Sequence, residues 1–201
     1  MRDRKDLLHP GINWVREHVD KLDPDSNQLS TKQTGSTISY DYLVMATGVE
    51  LRYDRIDGAM EALKNPSTPV GCMYELEFAH KMSRLRENFK GGKAIFTLPT
   101  MPVKCGGAPQ KIMYLSEETW RKNGVRDGID IHWYTSVGNM FPNCEKYAKA
   151  IYPLAQSKNI SMHFKHVIKS VDGDNRTVTF HNAETKEDVT TDFDLLHVVP
   201  P

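Results

Sequence analysis

Apolar and polar residues alternate from Ile12 to Val19, and turn formers crowd the stretch Asp23-Pro24-Asp25-Ser26-Asn27 that follows; together they predict a β-hairpin. A second strand is predicted over Ile38 to Ala46. Its run Leu43-Val44-Met45-Ala46 is apolar on both faces, as in a strand buried inside a parallel or mixed sheet, and Thr47-Gly48 gives a tight exit. Residues 49 to 71 carry Asp57-Gly58, Asn65-Pro66 and Thr68-Pro69 and read as a connecting loop. Beyond it the period changes. Met73, Leu76, Ala79, Met82, Leu85 and Phe89 recur every three or four residues, predicting a helix from Met73 to Phe89 that Gly91-Gly92 stops. Strand Lys93 to Leu98, helix Pro109 to Asn123, strand Ile129 to Thr135, helix Glu145 to Lys158 and strand Ile160 to His166 then alternate. The Asp172-Gly173 turn, flanked by strands near Lys169 and at Thr177 to Phe180, predicts a β-hairpin insertion, and a last strand covers Leu195 to Val199.

Strands alternating with helices are the pattern of an α/β protein with a Rossmann-like, doubly wound parallel sheet. Two domains are expected, residues 1 to 50 and residues 51 to 201, a division compatible with 201 residues. The hydrophobic share, 39%, is enough for a lean core, and Gly 13 with Pro 11 is an ordinary globular content that excludes a collagenous or linker-type chain. Lys+Arg 26 balance Asp+Glu 26, so the chain lacks the long-range positive field of a non-specific nucleic-acid binder. The N-terminal residues Met1-Arg2-Asp3-Arg4-Lys5-Asp6 carry both signs and no apolar stretch, so neither a signal nor a transit peptide is expected there. No apolar run approaches the ~18 residues that span a bilayer.

In a doubly wound sheet the first strand-to-helix turn carries G-x-G-x-x-G when a dinucleotide binds, and the next strand ends in an acidic residue that holds a ribose hydroxyl. Here the turn is Pro99-Thr100-Met101-Pro102-Val103-Lys104-Cys105-Gly106-Gly107-Ala108-Pro109, and the next strand ends in Thr135-Ser136. Both requirements for NAD are missing together. What the turn offers is a thiol: Cys105 follows Lys104, precedes two glycines expected to leave its sulfur unobstructed, and lies just before a helix with Lys111 in its first turn. Helix N-termini and cations both favour a thiolate, the nucleophilic form. Cys72 and Cys144 have no such setting and read as structural or surface residues, and three cysteines without a Cys-x-x-Cys pair suit a reducing compartment. The eight histidines form no metal-ligand spacing; His163 and His166, three apart on one predicted strand, are expected to face opposite ways.

Two segments carry a family resemblance. Ile38-Ser39-Tyr40-Asp41-Tyr42-Leu43-Val44-Met45-Ala46-Thr47-Gly48 resembles the ATG strand of flavoproteins built from two dinucleotide-binding domains. The string Pro102-Val103-Lys104-Cys105-Gly106-Gly107-Ala108-Pro109-Gln110-Lys111 and the ending Leu195-Leu196-His197-Val198-Val199-Pro200-Pro201 closely resemble sulfide:quinone oxidoreductases of mitochondrial type. The resemblance runs from about Gly11 to Pro201. It implies an FAD enzyme that oxidises hydrogen sulfide, leaves a persulfide on one of two redox cysteines, passes two electrons to ubiquinone, and hands the sulfane sulfur to a small thiol or sulfite. Cys105 matches the first redox cysteine. Val19 matches a position that contacts FAD, and Ala46, Thr47 and Gly48 match the strand end against the flavin nucleotide; Lys104 and Lys111 are candidate thiolate- or flavin-stabilising cations. Residues 1 to 50 then become the tail of an FAD domain, and residues 51 to 201 an NAD-like domain without NAD.

The departures are a missing glycine-rich phosphate loop and a missing second redox cysteine, which neither Cys72 nor Cys144 matches. The chain therefore reads as an internal piece of such an enzyme. Its address, the matrix face of the mitochondrial inner membrane, and any membrane association follow from the resemblance alone, the latter through segments absent from this sequence. A non-catalytic Rossmann-like interaction module that lacks FAD is the alternative, and NADH:quinone oxidoreductases share the architecture without the Cys105 turn.

Overall fold

The computed structural model describes residues 3–142 and 144–201, and its chain divides into two compact units, Met1–Gly48 and Val49–Pro201. The first unit is a three-stranded antiparallel sheet, β1 (Val19–Asp23), β2 (Gln28–Thr31) and β3 (Thr37–Ser39), in that order. The hairpin turn falls on the turn formers foreseen, with Asn27 left-handed at φ 51° and the Asp23 carboxylate accepting from the Ser26 amide at 3.3 Å. Both flanking strands are displaced from their expected positions. The residues from Ile12 to Arg16 are irregular and exposed, and the first strand begins only at Val19. The second ends at Ser39, and the apolar run Leu43-Val44-Met45-Ala46 is exposed coil, with Val44 86% accessible. An apolar run becomes a strand only where neighbouring strands accept its backbone groups. Among the described residues none pairs with this run.

The second unit holds the core. Its main sheet is parallel throughout, in the order β4 (Val70–Gly71), β11 (Leu195–His197), β5 (Gly92–Leu98), β6 (Ile129–Thr135), β7 (Ile160–His163). Helices α2 (Leu76–Asn88), α3 (Ala108–Lys122) and α4 (Glu145–Ser157) supply the crossovers and cover the sheet, α2 on β4 and β11, α3 on β5 and α4 on β7. The near-continuous apolar strands are those of a sheet buried on both faces: Ala94, Ile95 and Phe96 are fully inaccessible, as are Ile131 and Trp133. The stretch 49–71, expected to be loop, contains helix α1 (Ala59–Lys64) and the edge strand β4. Neither announces itself by period, because each is too short to show one. Helix α1 is held by the buried ammonium of Lys81, whose Nζ donates to the carbonyls of Ala62 (2.9 Å), Leu63 (3.2 Å) and Asn65 (2.6 Å) and to Thr68 Oγ1 (3.0 Å). A cation at a helix C-terminus meets the carbonyls that lack intrahelical partners.

The predicted hairpin insertion is a three-stranded antiparallel sheet, β10 (Asp188–Asp192), β9 (Thr177–Asn182), β8 (His166–Asp172). The strand foreseen from Ile160 to His166 is cut at Lys165, whose φ of 57° turns the chain from one sheet into the other. His163 and His166 therefore do not face opposite ways: both rings pack on Tyr134, His163 stacked at 4.0 Å and His166 edge-on at 5.6 Å. Tyr134 also stacks on Phe180 at 4.0 Å, so rings from β7, β6 and β9 join the two sheets. His163 Nε2 lies 2.9 Å from His132 Nδ1, and His132 Nε2 lies 2.8 Å from Asp130 Oδ2. Neutral rings satisfy both contacts if His163 donates to His132 and His132 to the carboxylate.

Burial, with the neighbouring His132 and His166, pushes His163 down to about 4, and burial alone pushes His197 on β11 down to about 3. Both rings are thus neutral in the fold while an unfolded chain protonates them near pH 6.5. Below that value the unfolded state binds more protons. Thermal midpoints are expected to fall progressively from pH 6.5 towards 4, and His163→Gln should reduce that fall. Lys81→Met is expected to cost about 2 kcal/mol in denaturant unfolding, because it leaves several buried acceptors without a donor.

Candidate functional site

Strands β5 and β11 are neighbours in the sheet, yet the chain leaves β5 for β6 and β7 on one side and only then, after β10, returns to lay β11 on the other. Such a reversal opens a crevice at the carboxyl ends of the strands, the usual ligand position in doubly wound sheets. Thr97, near the end of β5, fastens the two strands: its hydroxyl donates to the His197 carbonyl at 3.0 Å and accepts from the Val199 amide at 3.2 Å. From this point the chain runs through Pro99 to Gly107 into α3, and the turn is pinned at both ends. Ser136 Oγ donates to the Pro99 carbonyl at 2.6 Å, while the Cys105 carbonyl accepts from the Tyr74 hydroxyl at 3.0 Å and from the Ala108 amide at 3.1 Å.

Held this way by its backbone, Cys105 is a free, exposed thiol. Lys111 is in the first turn of α3, its side chain also exposed, and both residues line one open groove along the helix. Lys104 lines a separate, smaller cavity of ≈ 160 Å³ with Met101, Val103 and Pro201, at the β5–β11 end of the sheet. The other cysteines differ from Cys105. Cys72 is fully buried, with its sulfur 3.4 Å from the Tyr53 hydroxyl, and burial pushes its thiol up, towards the inert form. Cys144 is a half-buried residue at the N-cap of α4.

The glycine pair has a different reason from the one its sequence suggests. A Cβ on Gly106 would lie 2.8 Å from Pro142 Cγ, and one on Gly107 would lie 3.4 Å from the Phe141 ring. The glycines admit the Phe141-Pro142 segment, which comes from the β6–α4 connection and covers the first turn of α3. In a dinucleotide-binding turn that approach belongs to the pyrophosphate. The end of β6 offers no ribose partner either, since Thr135 is fully buried and Ser136 is spent on Pro99.

The remaining residues singled out from sequence lie in the first unit. Val19 opens β1 and is exposed; Ala46, Thr47 and Gly48 are exposed coil, with Gly48 at φ 80° and open space where a Cβ would be. Sequence reasoning missed Gln110 and Tyr114, one helical turn apart in α3. The Gln110 amide nitrogen and the Tyr114 hydroxyl are buried without a hydrogen-bond partner among the described residues, and burial pushes the Tyr114 phenol up to about 12. Their i, i+4 spacing was visible, but the orphaned atoms were not, because they depend on what covers the helix.

No family model matches the chain. Over its full length it is 36% identical to the mouse protein named sulfide:quinone oxidoreductase, mitochondrial, and over 96% of its length 39% identical to that of Schizosaccharomyces pombe; it spans 44% and 41% of those two proteins. The solved structure of the sulfide:quinone oxidoreductase from Aquifex aeolicus matches 92% of the chain with a TM-score of 0.69 at 22% identity, the chain covering 42% of it. Parallel sheet and antiparallel hairpin sheet place the chain in the α/β fold class to which that oxidoreductase structure belongs. Within that class the chain belongs to the sulfide:quinone oxidoreductase family, of mitochondrial type, and spans less than half the length of the curated relatives it matches.

Gly106→Ala is expected to destabilise the chain by about 1–3 kcal/mol, since its methyl meets a rigid proline ring. Gly107→Ala, meeting Phe141 at ordinary contact distance, should unfold within about 0.5 kcal/mol of the native chain. Denaturant unfolding of the two variants, with thiol titration of Cys105 alongside, checks the contrast.

Proposed function

We propose that this chain is the thiol-bearing part of a mitochondrial sulfide:quinone oxidoreductase, and that Cys105 is one of its two redox sulfurs. The observation that carries the reading is the exposed Cys105, fixed through its own carbonyl at the switch point of the sheet while both glycines after it are committed to packing. Hydrosulfide attacks a disulfide made of Cys105 and a second cysteine that this chain does not contribute. One S–S bond forms and one breaks, leaving a persulfide on one cysteine and a thiolate on the other. Cys105 suits the thiolate role, because the N-terminus of α3 and the nearby lysines stabilise negative charge. The sulfane sulfur then leaves to a small thiol or to sulfite, and the matrix face of the inner mitochondrial membrane is the proposed place of work.

FAD is the cofactor proposed, and when bound it supplies the two-electron acceptor between sulfide and ubiquinone. The chain suits part of that cofactor. In the first unit the backbone from Leu43 to Gly48 makes no hydrogen bond among the described residues, Gly48 leaves open space and the Val19 side chain on β1 is exposed, so Ala46, Thr47, Gly48 and Val19 are free to receive a nucleotide. In the second unit Lys111 is the proposed flavin-stabilising cation. The phosphates find no counterpart: the sequence has no G-x-G-x-x-G loop. Residues 1 to 50 are accordingly read as the tail of an FAD domain, and residues 51 to 201 as an NAD-like domain closed to NAD by Phe141 and Pro142.

Two outcomes are expected. The 201-residue chain, passed through gel filtration with excess FAD, should emerge without stoichiometric flavin absorbance; retained yellow cofactor would overturn the view that the phosphate loop is indispensable. In a full-length enzyme carrying this segment, Cys105→Ser should abolish sulfide-dependent quinone reduction, and retained activity would remove Cys105 from the reaction.

A further inference from the structure

Residues 100 to 107 carry the thiol on a turn with few fastenings. Among the described residues, one hydrogen bond reaches them from another element: the Tyr74 hydroxyl donates to the Cys105 carbonyl at 3.0 Å. Tyr74 lies in the connection from β4 to α2, at the same carboxyl end of the sheet as Cys105. It is itself held at two further points. Its side chain packs against the buried core of the second unit, and its amide donates to the sulfur of the fully buried Cys72 at 3.4 Å. Burial, with Cys105 and Cys72 close by, pushes the Tyr74 phenol up, so the hydroxyl keeps the proton it donates.

The bond matters for the sulfur because a peptide group is rigid and trans, with its N–H opposite its C=O. Drawing the Cys105 carbonyl towards Tyr74 therefore aims the Gly106 amide the other way. The Gly106 and Gly107 amides have no hydrogen-bond partner among the described residues, so both are unspent donors next to the thiol, where α3 begins. Two successive glycines also give this stretch more backbone freedom than other residues would, and a tether from outside removes it. We propose that Tyr74 is a positioning residue for the Cys105 thiol, its hydroxyl holding the Cys105–Gly106 peptide so that the free amides of the turn stay on the side of the thiolate. The inference rests on the reading of Cys105 as a redox sulfur. It concerns the hydroxyl alone, since the ring belongs to the core.

The test compares two variants that each lose one hydroxyl. Tyr74→Phe removes the tether and keeps the ring; Tyr53→Phe removes the hydroxyl 3.4 Å from the Cys72 sulfur and leaves the Cys105 carbonyl untouched. In the 201-residue chain, alkylation of Cys105 by iodoacetamide at neutral pH is followed by mass spectrometry of the Cys105 peptide. Its rate should fall at least about fivefold in Tyr74→Phe and stay within about twofold of native in Tyr53→Phe. Both variants should melt within about 4 °C of the native chain. In a full-length enzyme carrying this segment, Tyr74→Phe should lower kcat for sulfide-dependent quinone reduction about tenfold and leave KM for the quinone within about twofold. Unchanged alkylation or unchanged kcat in Tyr74→Phe, an equal fall in Tyr53→Phe, or loss of the folded state in Tyr74→Phe would each overturn the proposal. The two readings fail separately: an active Cys105→Ser enzyme removes the redox role of Cys105, whereas unchanged alkylation of Tyr74→Phe beside an inactive Cys105→Ser enzyme removes the positioning role alone.

Discussion

The second unit depends on one long-range placement: β11, the last strand of the chain, lies between β4 and β5 rather than at an edge. Leu195, Leu196 and His197 pair with Ala94, Ile95 and Phe96 across about a hundred residues of sequence, and Leu196 and His197 pair with Val70 and Gly71 on the other side. Without β11, β4 has no neighbour and the switch point does not exist. Thr97 makes the junction specific, since a single hydroxyl serves as donor to one residue of the incoming segment and as acceptor from another. The crevice at the carboxyl ends of the strands, and the turn that carries Cys105, inherit their position from this pairing.

The same placement sets a cost. His197 is fully buried at the centre of the sheet, and neither ring nitrogen finds a partner among the described residues. A neutral imidazole still has one N–H donor and one acceptor, so the site holds an unpaired polar group where an apolar one would pack. Lys81 is the opposite case. It too is buried, but four acceptors surround its ammonium, and burial lowers its affinity for the proton only to about 8. The contrast shows that burial alone does not decide the energetics of these groups; the partners do.

Elements of the second unit with a period of their own were legible in the sequence. The helices around Leu76–Asn88, Ala108–Lys122 and Glu145–Ser157 and the strands β5 and β6 lie within a few residues of their predicted bounds, because each is long enough for its apolar spacing to be read. What was illegible is long-range. Nothing local distinguishes Val70-Gly71 as a strand, since two residues become one only by pairing with β11. The Leu43 to Ala46 run fails for the converse reason: its composition is that of a buried strand, and the described residues give it no sheet to enter. The histidines were misread because a single left-handed residue, Lys165, breaks what looks like one strand into two. As for the site, the Cys105 turn was recognisable from its own letters, whereas the contacts of Phe141 and Pro142 join residues more than thirty positions away and leave no local trace.

That last pair alters how the turn is understood. Glycines beside a strand-to-helix turn invite a phosphate reading, and in a nucleotide-binding domain their missing side chains make room for a ligand. Here the room is filled by the protein itself. Once Phe141 and Pro142 lie against Gly106 and Gly107, the dipole of α3 is withdrawn from any external phosphate, and the nearest chemically active group is the sulfur one residue earlier. In a fold shared with dinucleotide-binding domains, the space beside this turn is thereby taken by two residues of a neighbouring connection. At Gly106 a Cβ would push that connection away, and with it the surface that Cys105 and α3 share.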